Sequence, residues 1–140
     1  MSKTHVLDAS AVMAYLEKEA GYEQMLDLLE KAGEGRVSLL MTTVNWGEVL
    51  YATENAYGAG QREAVELALA SHPIEVVEVG QELAVQAARL KASRKLPYAD
   101  SFAAALAAAR KAVLVTCDKD FERVEKDIKV LWLLKQQQNG

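Results

Sequence analysis

Five short apolar runs punctuate this chain: His5–Leu7, Val37–Met41, Ile74–Val79, Ala112–Thr116 and Lys129–Leu133. Stretches with helical character separate each run from the next. In Tyr22–Ala32 the residues Tyr22, Met25, Leu26 and Leu29 recur at helical spacing. Further helices are expected over Ser10–Leu16, Thr43–Tyr57, Arg62–Ala70, Gln81–Ser93 and Pro97–Arg110, with a short one near Phe121–Glu125. Gly58 and Gly60 close the third of these stretches. Pro73 ends the fourth, because a proline disfavours helix in the residue before it. Strands spaced by helices imply a parallel sheet covered on both faces. Such strands should be continuously apolar rather than alternating, and Ala112–Val115 and Val130–Leu133 are. The expected fold is therefore a three-layer α/β/α sandwich with a central, mainly parallel sheet. In sheets of this kind, function collects at the carboxyl ends of the strands.

The chain has 140 residues and its two prolines lie far apart, so there is no linker and one domain is expected over residues 1–134. Residues 135–140 read as a polar tail. A lone cysteine, Cys117, excludes an internal disulfide and argues for a reducing, cytoplasmic setting. It reads best as a small core filler. No apolar run approaches the ~20 residues of a membrane span. Val6-Leu7 before Asp8 is too short for a signal-peptide core. Lys and Arg number 16 against 20 Asp and Glu, a net charge of −4. That balance speaks against a generally basic nucleic-acid binder.

The acids are placed unusually. Asp8 and Asp118 each follow an apolar strand, so both should project from one edge of the sheet. Each also reads as the N-cap of the next helix. Glu48 is the only charged residue between Arg36 and Glu54. Its helix, with Val44, Trp46, Val49, Leu50 and Tyr51, reads as buried all round. A carboxylate there needs a compensating charge, hydrogen bonds or a metal. The alternative is a capping box, with Asn45 as N-cap and Glu48 reaching back to it. Asp100 falls in the first turn of the helix opened by Pro97, where the helix dipole favours an acid. Carboxylates converging at one sheet edge repel unless a divalent cation sits among them. Oxygen ligands select Mg2+ or Mn2+ over zinc. His5, His72 and Cys117 have no metal-ligand spacing.

Four segments carry a resemblance: VLDASAVMAYL (6–16), TTVNWGEVLYA (42–52), LPYADSFAAALA (96–107) and LVTCDKDFERV (114–124). Together they resemble the acidic motifs of the PIN-domain ribonucleases, most of all the VapC-like toxins of toxin–antitoxin pairs. The resemblance spans nearly the whole chain in order. It implies that Asp8, Glu48, Asp100 and Asp118 are catalytic metal ligands, with Asp120 as a further acid. Ser10 and Thr116 match supporting hydroxyls. It implies Mg2+- or Mn2+-dependent hydrolysis of RNA phosphodiesters, a homodimer and a cognate antitoxin. The rival readings are a free-standing RNA-processing nuclease and a PIN module that binds RNA or protein without cutting. A haloacid-dehalogenase-like phosphatase would need a second acid where this chain has Ser10.

Arg89, Lys91, Arg94 and Lys95 form the densest basic run and are expected to hold RNA phosphates, or else to be a solvated helix face. Tyr15, Leu16, Trp46 and Tyr51 either line an antitoxin groove or belong to the core. The five acids carry five of the negative charges, so the remainder of the chain is net positive by one. The acidity is then partly a metal site written into the composition.

Overall fold

A computed structural model describes residues 3–133 of the chain. The expected tail, 135–140, lies outside the described residues. The elements follow the order β1 (Lys3–Leu7), α1 (Ala9–Leu16), α2 (Tyr22–Gly33), β2 (Val37–Thr42), α3 (Thr43–Tyr57), α4 (Ala59–Ala70), β3 (Glu75–Val77), α5 (Gln81–Arg94), α6 (Tyr98–Arg110), β4 (Val113–Thr116), a 3-10 helix (Lys119–Val124) and β5 (Val130–Trp132). The strands form one sheet in the order β3-β2-β1-β4-β5, with every neighbouring pair parallel. This is the three-layer α/β/α arrangement.

Strand periodicity sorts the core into two sides. Leu7, Leu39, Met41 and Val115 pack with Ala11, Val12, Met25, Leu29, Val49 and Val65, which come from α1 to α4. Val6, Leu40 and Leu114 point the other way, onto Ala103, Ala104, Leu106 and Ala107 of α6. Alternate side chains of a strand face opposite sides, so an apolar run clothes both faces at once. Helix α6 is buried from Asp100 to Ala107. Its alanines have no bulk to hold it off the sheet or off α5, and its first turn is thereby fixed against the sheet edge.

Local chemistry sets the element ends. Asp8 caps α1 by accepting from the Ala11 N–H, and Thr42 caps α3 by accepting from the Asn45 N–H. Helix α3 thus starts at Thr43, and the capping box built on Asn45 does not form. Nor is α3 buried all round: Asn45, Val49 and Thr53 face inward, while Tyr51 is 70% exposed. The third strand is only Glu75–Val77, shorter than its β-branched sequence suggests, because it is an edge strand paired to β2 alone. Cys117 is exposed rather than a core filler. It lies just past the end of β4, where the helices no longer cover the chain. Among the described residues, no helix is long and apolar enough to cross a membrane.

Candidate metal centre

The chain winds outward in opposite directions from β1 and β4, which lie side by side at the centre of the sheet. Adjacent strands whose connections diverge leave a crevice at their carboxyl ends. Asp8 follows β1 directly, and Asp118 lies two residues past β4, so both acids stand at this crevice.

Asp8 is buried and fully bonded. Its Oδ1 accepts from the Ala11 N–H at 2.9 Å and the Ser10 hydroxyl at 2.8 Å. Its Oδ2 accepts from the Thr116 hydroxyl at 2.6 Å. Thr116 Oγ1 in turn accepts from the Asp118 N–H at 2.9 Å, so one hydroxyl links the two acids. Ser10 Oγ accepts from the Cys117 N–H at 3.1 Å, tying α1 to the end of β4. Burial pushes the Asp8 carboxyl up to about 6, and its hydrogen bonds only partly oppose that.

Asp100 is 8% exposed, and its Oδ2 is buried with no hydrogen-bond partner. Burial raises its pKa to about 8, and the Asp118 carboxylate, then Asp8 and Glu48, add to the rise. Asp100, Asp118 and Asp120 each offer a carboxylate oxygen, and these three atoms lie within 4.8 Å of one another. Asp118 Oδ1 also accepts from the Asp120 N–H at 2.9 Å, which starts the 3-10 helix. Asp118 therefore both caps the 3-10 helix and belongs to the cluster, whereas Asp8 caps α1. Asp8 and Glu48 stand outside the triplet but act on Asp100 through their charge.

Glu48 is half-buried and held by Asn45, a residue whose role the sequence did not reveal. Asn45 is wholly buried. Its Oδ1 accepts from the Thr42 hydroxyl at 2.6 Å. Its Nδ2 donates to Glu48 Oε1 and to the Ala99 carbonyl, both at 3.1 Å. One amide thus aims Glu48 and ties α3 to the first turn of α6, beside Asp100. The T-x-x-N-x-x-E spacing over Thr42, Asn45 and Glu48 was the available signal.

An unpaired buried carboxylate oxygen is costly. Here it belongs to a residue clustered with two further carboxylates, a group that supplies oxygen donors alone. That donor set fits a hard divalent cation such as Mg2+ or Mn2+ and lacks the nitrogen or sulfur that zinc sites favour.

The basic run is dispersed. Arg94 forms a two-pronged ion pair with Asp127, at 2.8 Å in each prong. Lys91 Nζ donates to the Leu96 carbonyl at 2.9 Å. Arg89 borders a shallow pocket with Ala105, Ala108 and Ala109, towards the far end of α6 from Asp100. Lys95 caps α5 with a left-handed backbone. The four aromatic or aliphatic candidates also differ. Tyr15 stacks on Tyr22, and Leu16 and Trp46 pack against the core, whereas Tyr51 is open to solvent.

The family model for the PIN domain matches residues 5–127. No curated protein matches the chain significantly in sequence. Among solved structures, DNA-bound VapBC from Salmonella typhimurium aligns at TM-score 0.73 and 20% identity, over 96% of this chain and 100% of that one. A toxin–antitoxin complex from Klebsiella pneumoniae aligns at 0.72 and 17% identity, over 94% and 99%. FitAcB from Neisseria gonorrhoeae aligns at 0.68 and 14% identity, over 90% and 95%. At these identities the likeness is one of fold.

Proposed function

The chain belongs to the PIN-domain family, and on that premise we propose that it is a Mg2+- or Mn2+-dependent endoribonuclease, the toxin of a toxin–antitoxin pair. The observation that carries the reading is Asp100, a buried carboxylate with an unpaired Oδ2 that clusters with Asp118 and Asp120.

Asp100, Asp118 and Asp120 would hold the cation, with Asp8 and Glu48 completing a catalytic set of acids around it. When bound, a divalent cation offsets charge growing on the scissile phosphate and makes water a stronger nucleophile. The chain's residues do the positioning. Thr116, Ser10 and the Ala11 N–H lock the Asp8 carboxylate in one orientation. Asn45 holds Glu48. The α6 backbone sets Asp100 against the sheet edge, where burial limits the water that reaches it. No serine or cysteine nucleophile is needed. Ser10 is committed to Asp8, and burial raises the Cys117 thiol above its ordinary pKa.

The solved neighbour described as a toxin–antitoxin complex supports an antitoxin partner. A cytoplasmic homodimer with residues 1–134 as the functional unit completes the proposal. Finding a small open reading frame directly upstream would support this assignment. A free-standing nuclease would lack one.

The decisive experiment is RNA cleavage with Mg2+ or Mn2+, with and without EDTA, by wild type, Asp8→Asn and Asp100→Asn. Wild-type activity should vanish in chelator. Each variant should lose ~100-fold or more, since even outer-shell partners of a metal cost 10–100-fold. Equal activity in all three proteins, or activity indifferent to EDTA, refutes the reading.

A further inference from the structure

We propose that Arg123, with Lys95 beside it, forms a phosphate-binding rim next to the acidic centre and positions the RNA backbone there. The proposal rests on the nuclease reading above and names residues that take the substrate.

Five carboxylates around one crevice repel a polyanion. A cation at the centre offsets that repulsion locally, but the phosphates flanking the scissile one need positive charge on the protein. Among the described residues, Arg123 is the one basic side chain that forms an ion pair with any of the five acids. Its Nη2 lies 3.8 Å from Asp120 Oδ1. That distance makes the pair loose, and Arg123 is exposed, so the guanidinium keeps donors free for a phosphate. The other ion-paired arginines, Arg36, Arg62 and Arg94, are engaged with Glu34, with Glu54 and Glu66, and with Asp127.

Arg123 is also anchored. Its Nη1 donates to the Lys95 carbonyl. That bond aims the guanidinium across the gap between the 3-10 helix and the turn joining α5 to α6. It places the Lys95 backbone against the arginine head. Lys95 itself is exposed, and its side chain makes no ion pair among the described residues. The Arg123 guanidinium and the Lys95 backbone therefore meet on the Asp120 side of the crevice, with the exposed Lys95 side chain leaving from that junction. Of the basic run expected to meet RNA, Lys95 is the member joined to the centre.

Lys95 offers an unusually clean variant. Its backbone lies in the left-handed region, φ 61°, at the end of α5. Glycine is the preferred residue there. Lys95→Gly removes the charge and keeps the fold at least as stable. Arg123→Gln is the second variant, and Arg123→Lys the conservative one.

The measurement is fluorescence anisotropy of a short fluorescein-labelled single-stranded oligoribonucleotide across a salt series, with Ca2+ in place of Mg2+. Steady-state cleavage in Mg2+ and thermal unfolding accompany it. Each charge removed should weaken binding several-fold. It should also lower the slope of log affinity against log salt by ~0.7, the value for one contact to a single strand. The loss in kcat/KM should fall mainly on KM, and Arg123→Lys should restore part of it. Arg123→Gln and Lys95→Gly proteins that bind RNA with wild-type affinity and salt slope would overturn the proposal, whatever their stability. A role for Arg123 as a mere staple predicts that result together with a lowered melting temperature. If wild type cleaves RNA while these variants match it, the rim fails and the nuclease reading stands. If wild type neither binds nor cleaves RNA, both fail.

Discussion

Asn45 and Asp100 hold opposite positions at the residue scale. Asn45 is buried with every bond made, and Asp100 is buried with one oxygen unpaired. Asn45→Ala strands the Thr42 hydroxyl, Glu48 and the Ala99 carbonyl together. Leaving buried polar groups unsatisfied costs about 1–3 kcal/mol. The Mg2+ or Mn2+ affinity measured by calorimetry should drop ~10-fold or more as Glu48 loses its orientation. Unchanged metal affinity in a folded Asn45→Ala protein would show that Glu48 does not depend on it. Asp100 and Asp8 make stability depend on pH in a definite direction. Both have folded values, about 8 and about 6, above the ordinary aspartate value of 3.8. Between 3.8 and those values the folded state holds more protons than the unfolded chain. Stability contributed by these groups is therefore lost as pH rises through that window. In EDTA, the melting temperature of wild type relative to Asp100→Asn should fall between about pH 5 and about pH 9. Saturating Mg2+ should cancel the fall, and a wild type that tracks Asp100→Asn at every pH in EDTA would contradict it. None of this was legible in the sequence beyond the acids themselves. Asp8, Asp100 and Asp118 each fit a helix start, and the capping roles of Asp8 and Asp118 leave both acids at the crevice. Asn45 looked like a cap because side-chain amides favour caps, but Thr42 holds that place.

Elements were far more legible than side-chain environments. Hydrophobic period distinguishes strand from helix, so the order of the five strands and six α-helices among the described residues followed from the chain. What the sequence missed were ends and exposures. The segment after Asp118 became a 3-10 helix because the Asp118 side chain bonds the Asp120 N–H and tightens the turn. Tyr51 and Cys117 read as core by composition, yet they face solvent, because apolar content alone does not say which flank of a helix or strand end is covered. Helix α6 shows where composition does carry function. Its buried alanines let it approach the sheet, and that approach places Asp100. Ala104→Leu adds bulk at a fully buried position against Val6, Leu40 and Leu114. Overpacking of this kind costs about 1–3 kcal/mol. Chemical denaturation should show that loss, with weaker metal binding as the first turn of α6 shifts. Ala108→Leu, on the exposed flank, should stay within about 0.5 kcal/mol of wild type. Equal stability of the two variants would mean that α6 is not held as tightly as its burial indicates.

At the scale of the whole molecule, charge is divided rather than merely negative. The net charge is −4, and Asp8, Glu48, Asp100, Asp118 and Asp120 contribute five negative charges to it. The rest of the chain is slightly basic, and the acids are gathered at the crevice where the strands of β1 and β4 end. A phosphate backbone approaching without a metal meets the most repulsive part of the surface first. The same backbone approaching the metal-loaded protein meets a neutralised centre flanked by Arg123. RNA affinity should therefore depend on divalent cation far more than on monovalent salt alone. The sharper expectation concerns a variant. Neutralising Asp100 and Asp118 together, as Asp100→Asn with Asp118→Asn, removes two of the repelling charges and the metal ligands with them. In EDTA this double variant should bind a labelled oligoribonucleotide more tightly than wild type does, while cleaving none in Mg2+. Adding Mg2+ should strengthen binding by wild type and leave the variant nearly unchanged. A double variant that binds more weakly than wild type in EDTA would place the repulsion elsewhere. The negative charge of the molecule would then oppose RNA as a whole instead of acting through one metal-dependent crevice.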